Sequence, residues 1–165
     1  MREWTVAGGV IHADDRLLLV ENLRRNGMRD WSPPGGVVDP GETVLGALTR
    51  EVREETGIEV HAWARQLYEV DVIAHDMKWH MRAEIHLAAD FSGEIALDDP
   101  DGIVTEARWA TKEESTDLLS GGWLWLADPL GAWLAERWAS GVRHFGFDVR
   151  GTDMASFDVT RRLVG

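Results

Sequence analysis

Polar and apolar positions alternate loosely over Trp4–His12, pause at Asp14-Asp15, and resume in Arg16–Glu21 around the apolar run Leu17–Val20. This pattern predicts a hairpin of two strands. Asn22–Asp30 is polar, holds Gly27 and three arginines, and reads as an exposed loop. Ser32-Pro33-Pro34-Gly35-Gly36 is excluded from a helix interior, because proline lacks the backbone donor and glycine favours turns. Asp39-Pro40-Gly41 predicts a second turn. From Thr43 the period lengthens: Val44, Leu48 and Val52 fall on one stripe at helical spacing. Thr43 suits the N-cap of a helix running to about Thr56, and Gly57 suits its left-handed C-terminal position.

Glu59–Ala74 and Lys78–Ala89, rich in β-branched and aromatic residues, predict two long strands joined near His75-Asp76. Glu94–Glu106 is acidic and turn-rich and reads as a solvated loop, of a kind that sometimes closes over a site. A short strand near Ala107–Ala110 and a helix around Lys112–Leu119 follow. Asp128-Pro129 predicts another helix start, a cap followed by a first-turn proline. Leu130, Trp133, Leu134 and Trp138 then share a core-facing stripe, and Gly141 marks the end. His144–Val149 and Ser156–Thr160 are expected to add edge strands. Strands on both sides of an early helix, with a late helix, predict a mixed sheet covered on two faces and one domain over 1–165.

Composition narrows the function. The longest apolar runs, Val6–Ile11 and Trp123–Ala127, fall far short of the roughly 18 residues a membrane span needs. Met1-Arg2-Glu3-Trp4 leads directly into a strand pattern without a signal-like segment, so a cytoplasmic location is expected. With no cysteine, disulfides and thiolate metal sites are excluded. Seventeen Lys and Arg against 29 Asp and Glu give a net charge of −12. Such a chain repels duplex nucleic acid, yet can handle a small phosphorylated molecule if a divalent cation lies between the two negative partners. Monomer and homodimer are both compatible with these features.

The chemistry concentrates in Gly36–Ile58. Glu51, Glu54 and Glu55 stand at i, i+3 and i+4, so their carboxylates leave one helix face within mutual reach. Each such like-charge pair costs a helix about 0.2–0.5 kcal/mol. The apolar stripe pins the same helix to a core, so the acidic face is held on a rigid element. Crowded hard oxygen donors suit Mg²⁺ or Mn²⁺. Arg50 is spaced to pair with Glu54, and Glu42 precedes the helix where its dipole favours an acid. The other histidines show no ligand spacing, and His75 with His80 is a weak zinc pattern. Arg24, Arg25 and Arg29 are candidates for holding substrate phosphates. Trp31 or Trp79 is a candidate for stacking on a base, against the ordinary role of tryptophan in a small core.

The segment resembles the Nudix box: glycine, five residues, glutamate, seven residues, then Arg-Glu-apolar-any-Glu-Glu-any-Gly-apolar. Gly36, Glu42, Arg50, Glu51, Val52, Glu54, Glu55, Gly57 and Ile58 meet every constrained position, and the match spans 23 of 165 residues. One departure precedes the box, where Pro33 stands in place of the bulky apolar residue common in the family. The resemblance implies an α+β fold, an α/β/α sandwich with a mixed β-sheet between helices. It implies hydrolysis of a nucleoside diphosphate linked to another moiety. Glu51, Glu54 and Glu55 would bind Mg²⁺ (Mn²⁺ as substitute), with one of them polarising water. Arg50 would buttress the glutamates; Gly36, Glu42 and Gly57 would shape the box. An acid outside the box often contributes in this family, and Glu106 is the candidate. The rival reading is a non-catalytic Nudix-fold module that senses a nucleotide; loss of box glutamates would favour it, and none is lost. The isomerase branch acting on isoprenoid diphosphates usually employs a cysteine, which this chain lacks.

Overall fold

The computed structural model describes residues 1–163. The elements run β1 (Arg2–Val10), β2 (His12–Ala13), β3 (Arg16–Leu23), β4 (Arg29–Ser32), β5 (Gly35–Val37), α1 (Val44–Thr56), β6 (Glu59–Ala74) and β7 (Trp79–Ser92). After these come β8 (Val104–Ala110), α2 (Lys112–Ser120), α3 (Leu124–Glu136), β9 (Arg143–Arg150) and β10 (Asp158–Arg162). One sheet has the order β10-β9-β6-β7-β1-β5; in the other, β3 pairs with β2, β4 and β8. The β1–β7 and β6–β9 pairings are parallel and the rest antiparallel, so the sheet is mixed, as expected.

Strand alternation assigns the two faces. Val70, Val72 and Ala74 of β6, with Phe145, Phe147 and Val149 of β9, join the core beneath α2 and α3. Ala7, Ile11 and Leu18 pack instead with Leu48 and Val52 of α1. Helices thus cover both faces, the predicted α/β/α sandwich. Trp133 and Trp138 belong to the larger core, as their stripe implied. Among the described residues, no helix is long and apolar enough to cross a membrane.

Four local expectations are corrected. The hairpin partner of β3 is only His12–Ala13, because β1 passes into the other sheet between β7 and β5. Val6 and Val10 face one core while Ala7 faces the other; a strand apolar on both sides belongs in a sheet interior. Second, Asn22–Asp30 is not a loop: β3 runs on to Leu23 and β4 starts at Arg29, leaving a short turn closed by Arg24 N–H to Met28 O at 2.8 Å. Polar Asn22 and Asp30 are buried there against one another, so their polarity misled.

Third, α3 begins at Leu124 and carries Pro129 within it, while Asp128 pairs with Arg161 at 3.1 Å in place of capping. An interior proline costs a helix about 3 kcal/mol. Burial of Trp125, which stacks on Trp123 at 4.9 Å, extends the helix past that penalty. The helix also ends before Gly141, with Arg137 taking the left-handed position. Fourth, β9 is interior, between β6 and β10, so of the two C-terminal strands β10 alone lies at a sheet edge.

Candidate active site

The loop from Gly35 to Thr43 and the helix α1 behave as the local chemistry dictates. Thr43 Oγ1 accepts from Gly46 N–H at 3.0 Å and caps the helix. Gly57 ends it at φ 82°, where a Cβ would also meet the backbone of Glu94 and Ala96 at 2.7–2.8 Å. Leu48 and Val52 are fully buried, which fixes the rotation of the helix and hence the direction of its acidic face. Gly36 is needed for a different reason: a Cβ there would sit 2.6 Å from the carboxylate carbon of Glu51. Only glycine lets that carboxylate lie against β5.

Arg50 organises the face. Its Nε donates to Glu42 Oε2 at 3.0 Å and its Nη2 to Glu42 Oε1 at 2.9 Å, a bidentate pair. Its Nη1 donates to Glu51 Oε1 at 3.1 Å and Glu54 Oε2 at 3.2 Å. The predicted i, i+4 pair is therefore present, within a wider fork. The Glu42 carboxylate also accepts from Asp39 N–H, tying the turn to the helix. Hydrogen bonding to Arg50 is the main cause holding Glu42 below the usual carboxylate range, and bonding to Glu42 in turn raises Arg50. Burial pushes Glu51 up, although the Arg50 charge and hydrogen bond oppose the shift.

Glu55 differs from its neighbours. It is 4% exposed, and its Oε1 accepts from Gly35 N–H at 3.1 Å. Desolvation raises its pKa to about 9, with the Gly35 hydrogen bond acting against the shift and the charge of Glu51 adding to it. A carboxyl so placed is strongly relieved by a cation.

Further acids near this face come from the segment between β7 and β8. Ala96 N–H bonds Thr56 O at 2.8 Å and Asp98 N–H bonds Glu54 O at 3.3 Å, so the segment lies along the end of α1. The charge of Asp101 acts on Glu51 and that of Asp99 on Glu55. Arg53, Glu54, Asp98 and Pro100 line an open cavity of about 280 Å³. The run Asp98-Asp99-Pro100-Asp101 was the available signal, but its acidity suited solvent equally well. Glu106 lies on β8 opposite Glu21, where its carboxylate accepts from Arg108 at 2.9 Å.

The loop arginines separate. Arg24 is paired with Asp30 and its charge reaches Glu55. Arg29 is tied to Glu21 at 3.0 Å, and Arg25 is exposed in the turn and makes no ion pair among the described residues. Trp31 is buried in the larger core, with the Arg108 guanidinium 5.0 Å from its ring centroid. Trp79 packs on Trp4 and Trp125. His75 bonds Asp148 and His80 bonds Asp71.

Among the described residues no three acidic or histidine side chains already converge around one point. The donor chemistry nevertheless fits a hard divalent cation. Glu51, Glu54 and Glu55 offer carboxylate oxygens on one rigid element, with Glu42, Asp98, Asp99 and Asp101 they outnumber the arginines facing them, and one is buried with only a backbone donor.

Comparison with known proteins bears on the same segment. The NUDIX domain family model matches residues 2–133. The human NAD-capped RNA hydrolase NUDT12 is 33% identical over 122 residues, covering 68% of this chain and 23% of that protein. The chain therefore spans about a quarter of the length of the first such relatives. The mouse asymmetrical bis(5'-nucleosyl)-tetraphosphatase is 35% identical over 100 residues, 56% of this chain and 63% of its own. Among solved structures, the MutT NUDIX hydrolase from Burkholderia pseudomallei superposes with a TM-score of 0.61 at 32% identity, covering 69% of this chain and 87% of that one.

Proposed function

This chain belongs to the Nudix family, and on that premise we propose that it hydrolyses the phosphoanhydride of a nucleoside diphosphate linked to another moiety. The single observation carrying the proposal is the acidic face of α1, with the full glutamate set in place and Glu55 buried against the Gly35 N–H. The relatives named for NAD-capped RNA and bis(5'-nucleosyl) tetraphosphates support the substrate class. The net charge of −12 favours a small nucleotide-like member of it over a polyanionic one. Strands β9 and β10 lie beyond the matched segment yet complete the same sheet, which supports treating 1–165 as one domain.

Glu51, Glu54 and Glu55 would hold the cation, Mg²⁺ or Mn²⁺. When bound it would polarise phosphoryl oxygens and lower the pKa of water at neutral pH. The rest is done by the chain. Arg50 keeps Glu51 and Glu54 from splaying and anchors the Asp39–Glu42 turn. Gly35 N–H orients the Glu55 carboxylate, which would take up the proton lost by the attacking water. The segment carrying Asp98 and Asp99 borders the acidic face and limits what reaches it.

The test is a panel of nucleoside triphosphates, nucleotide sugars, ADP-ribose and dinucleoside polyphosphates with Mg²⁺, reading released phosphate or pyrophosphate. Turnover of at least one at the anhydride is expected. Binding of a panel member without turnover of any would replace the hydrolase reading with the sensor.

A further inference from the structure

The β3–β4 hairpin contains a buried polar network. Asn22, Asp30 and Ser32 are 6%, 6% and 9% exposed. They share one face, because Asn22 opposes Asp30 and Val20 opposes Ser32 in the register. Asn22 Nδ2 donates to Asp30 Oδ1 at 3.0 Å and to Ser32 Oγ at 2.9 Å. Arg24 completes the network, its Nε donating to Asp30 Oδ2 at 2.7 Å and its Nη2 to Oδ1 at 2.8 Å. Apolar residues of similar volume often stabilise such a position as well as or better than a buried ion pair. What the network provides is a guanidinium held in one orientation.

That guanidinium is placed to be useful. A guanidinium has five N–H donors, and the Asp30 pair occupies two of them. Among the described residues no acceptor takes Arg24 Nη1. The network also leads into the acidic site: Ser32 is followed by Pro33-Pro34-Gly35, and Gly35 N–H bonds Glu55. Arg50 is consumed by Glu42, Glu51 and Glu54, and Arg53, which lines the cavity beside Glu54, has no carboxylate bracing it among the described residues. A polyphosphate approaching so many carboxylates needs a cation that is not already shared among them, and Arg24 has donors to spare while being held in place by Asp30.

We infer that Asp30 is a positioning residue that holds Arg24 with its Nη1 donors available to a phosphate oxygen of the substrate, making Arg24 the phosphate anchor of this site. The inference rests on the diphosphate reading above. Bidentate pairing fixes the plane of the guanidinium, which a lysine at the same place could not reproduce. Lost anchoring of this kind raises KM with little change in kcat.

Calorimetric titration of the full chain with α,β-methylene-ADP and Mg²⁺ reads binding without hydrolysis. Arg24→Ala is expected to weaken binding about tenfold and Asp30→Asn several-fold. In the Arg24→Ala background, Asp30→Asn should add less than twofold, since Asp30 acts through Arg24. A merely structural Asp30 would give the same added loss in both backgrounds, which overturns the inference. Should Asp30→Asn fail to fold, Arg24→Lys decides: it keeps the charge but not the fork, and wild-type affinity there overturns the positioning role. Unchanged affinity in Arg24→Ala overturns the inference and leaves the diphosphate reading standing. A wild-type chain that neither binds the probe nor turns over any panel compound overturns the diphosphate reading, and this inference with it.

Discussion

On α1 a single guanidinium serves Glu42, Glu51 and Glu54, while Glu55 has a backbone N–H as its only hydrogen-bond partner among the described residues. On the polar face of the six-stranded sheet the ratio is reversed. Asp71 has His80, Arg162 at 2.7 Å and Arg82 at 3.6 Å, and Asp148 has His75 at 2.6 Å and Arg162 at 3.4 Å. Both clusters are made of the same kinds of residue, and a count of charged groups would not separate them. The second is internally neutralised and joins β6, β7, β9 and β10, which is what a structural network does. The first retains uncompensated negative charge on a rigid helix, which is stable only beside solvent or with an added cation. Excess of one sign, held in place, is the property that the proposed site has and the second cluster lacks.

The largest expected effect breaks the first cluster. Glu54→Gln and Glu55→Gln should each lower kcat at least tenfold in Mg²⁺ while thermal unfolding shows an intact fold, because glutamine keeps the volume and relieves repulsion. Wild-type turnover in either variant removes that residue from the proposed catalytic set. Replacing Arg50 by Ala should instead cost stability. Losing a charged hydrogen-bond partner costs about 1.5–3 kcal/mol, and at about 2–4 °C per kcal/mol for a chain of this size the melting temperature should fall by several degrees. Added Mg²⁺ should restore part of that loss, since a cation takes over the role of the guanidinium; no restoration would argue against a cation at this face.

A third outcome sets the clusters against one another. A ligand that binds only the folded state, present at 100 times its Kd, adds about 2.7 kcal/mol of stability. Millimolar Mg²⁺ with α,β-methylene-ADP should therefore raise the melting temperature of the wild type. The rise should persist in Asp71→Asn and diminish in Glu54→Gln. Equal rises in both variants would place the cation elsewhere.

The smallest effect is in acid. Burial alone would raise Asp71, but hydrogen bonds from Arg162 and His80, with their charges, outweigh it and hold its pKa below the ordinary value. A depressed carboxyl contributes stability that is complete above its unfolded pKa, about 3.9, and is lost as pH falls through the lower folded value. Wild type and Asp71→Asn should thus differ in stability at pH 6 and converge toward pH 3. A constant difference across that range would show that Asp71 stabilises through packing alone.

Short-range periodicity carried much of this protein. Helix α1 with its Thr43 cap and Gly57 terminus and the long β6 and β7 strands depend on spacing within one element, which the order of residues states directly. So did the Arg50–Glu54 pair. The expected mutual reach of Glu51, Glu54 and Glu55 does not, since among the described residues their carboxylates do not converge. Contacts between elements were another matter. Nothing in the local pattern distinguishes a polar Asn22 and Asp30 facing solvent from the same residues satisfying each other in a hairpin. Nor does it distinguish an acidic run in water from one laid against the end of α1. Pro129 reads as a helix start until the burial of Trp125 extends the helix past it.

By itself, then, the sequence determined the family box, the element that carries it and the excess of carboxylates on one helix face, because each is a matter of period and spacing. The tertiary structure alone decided which loop arginine is braced by Asp30, that Asp98 and its neighbours lie along the end of α1, and that Trp31 packs in the core. Those outcomes depend on which partner fills each remaining hydrogen bond and apolar surface, and the partners come from strands distant in the chain.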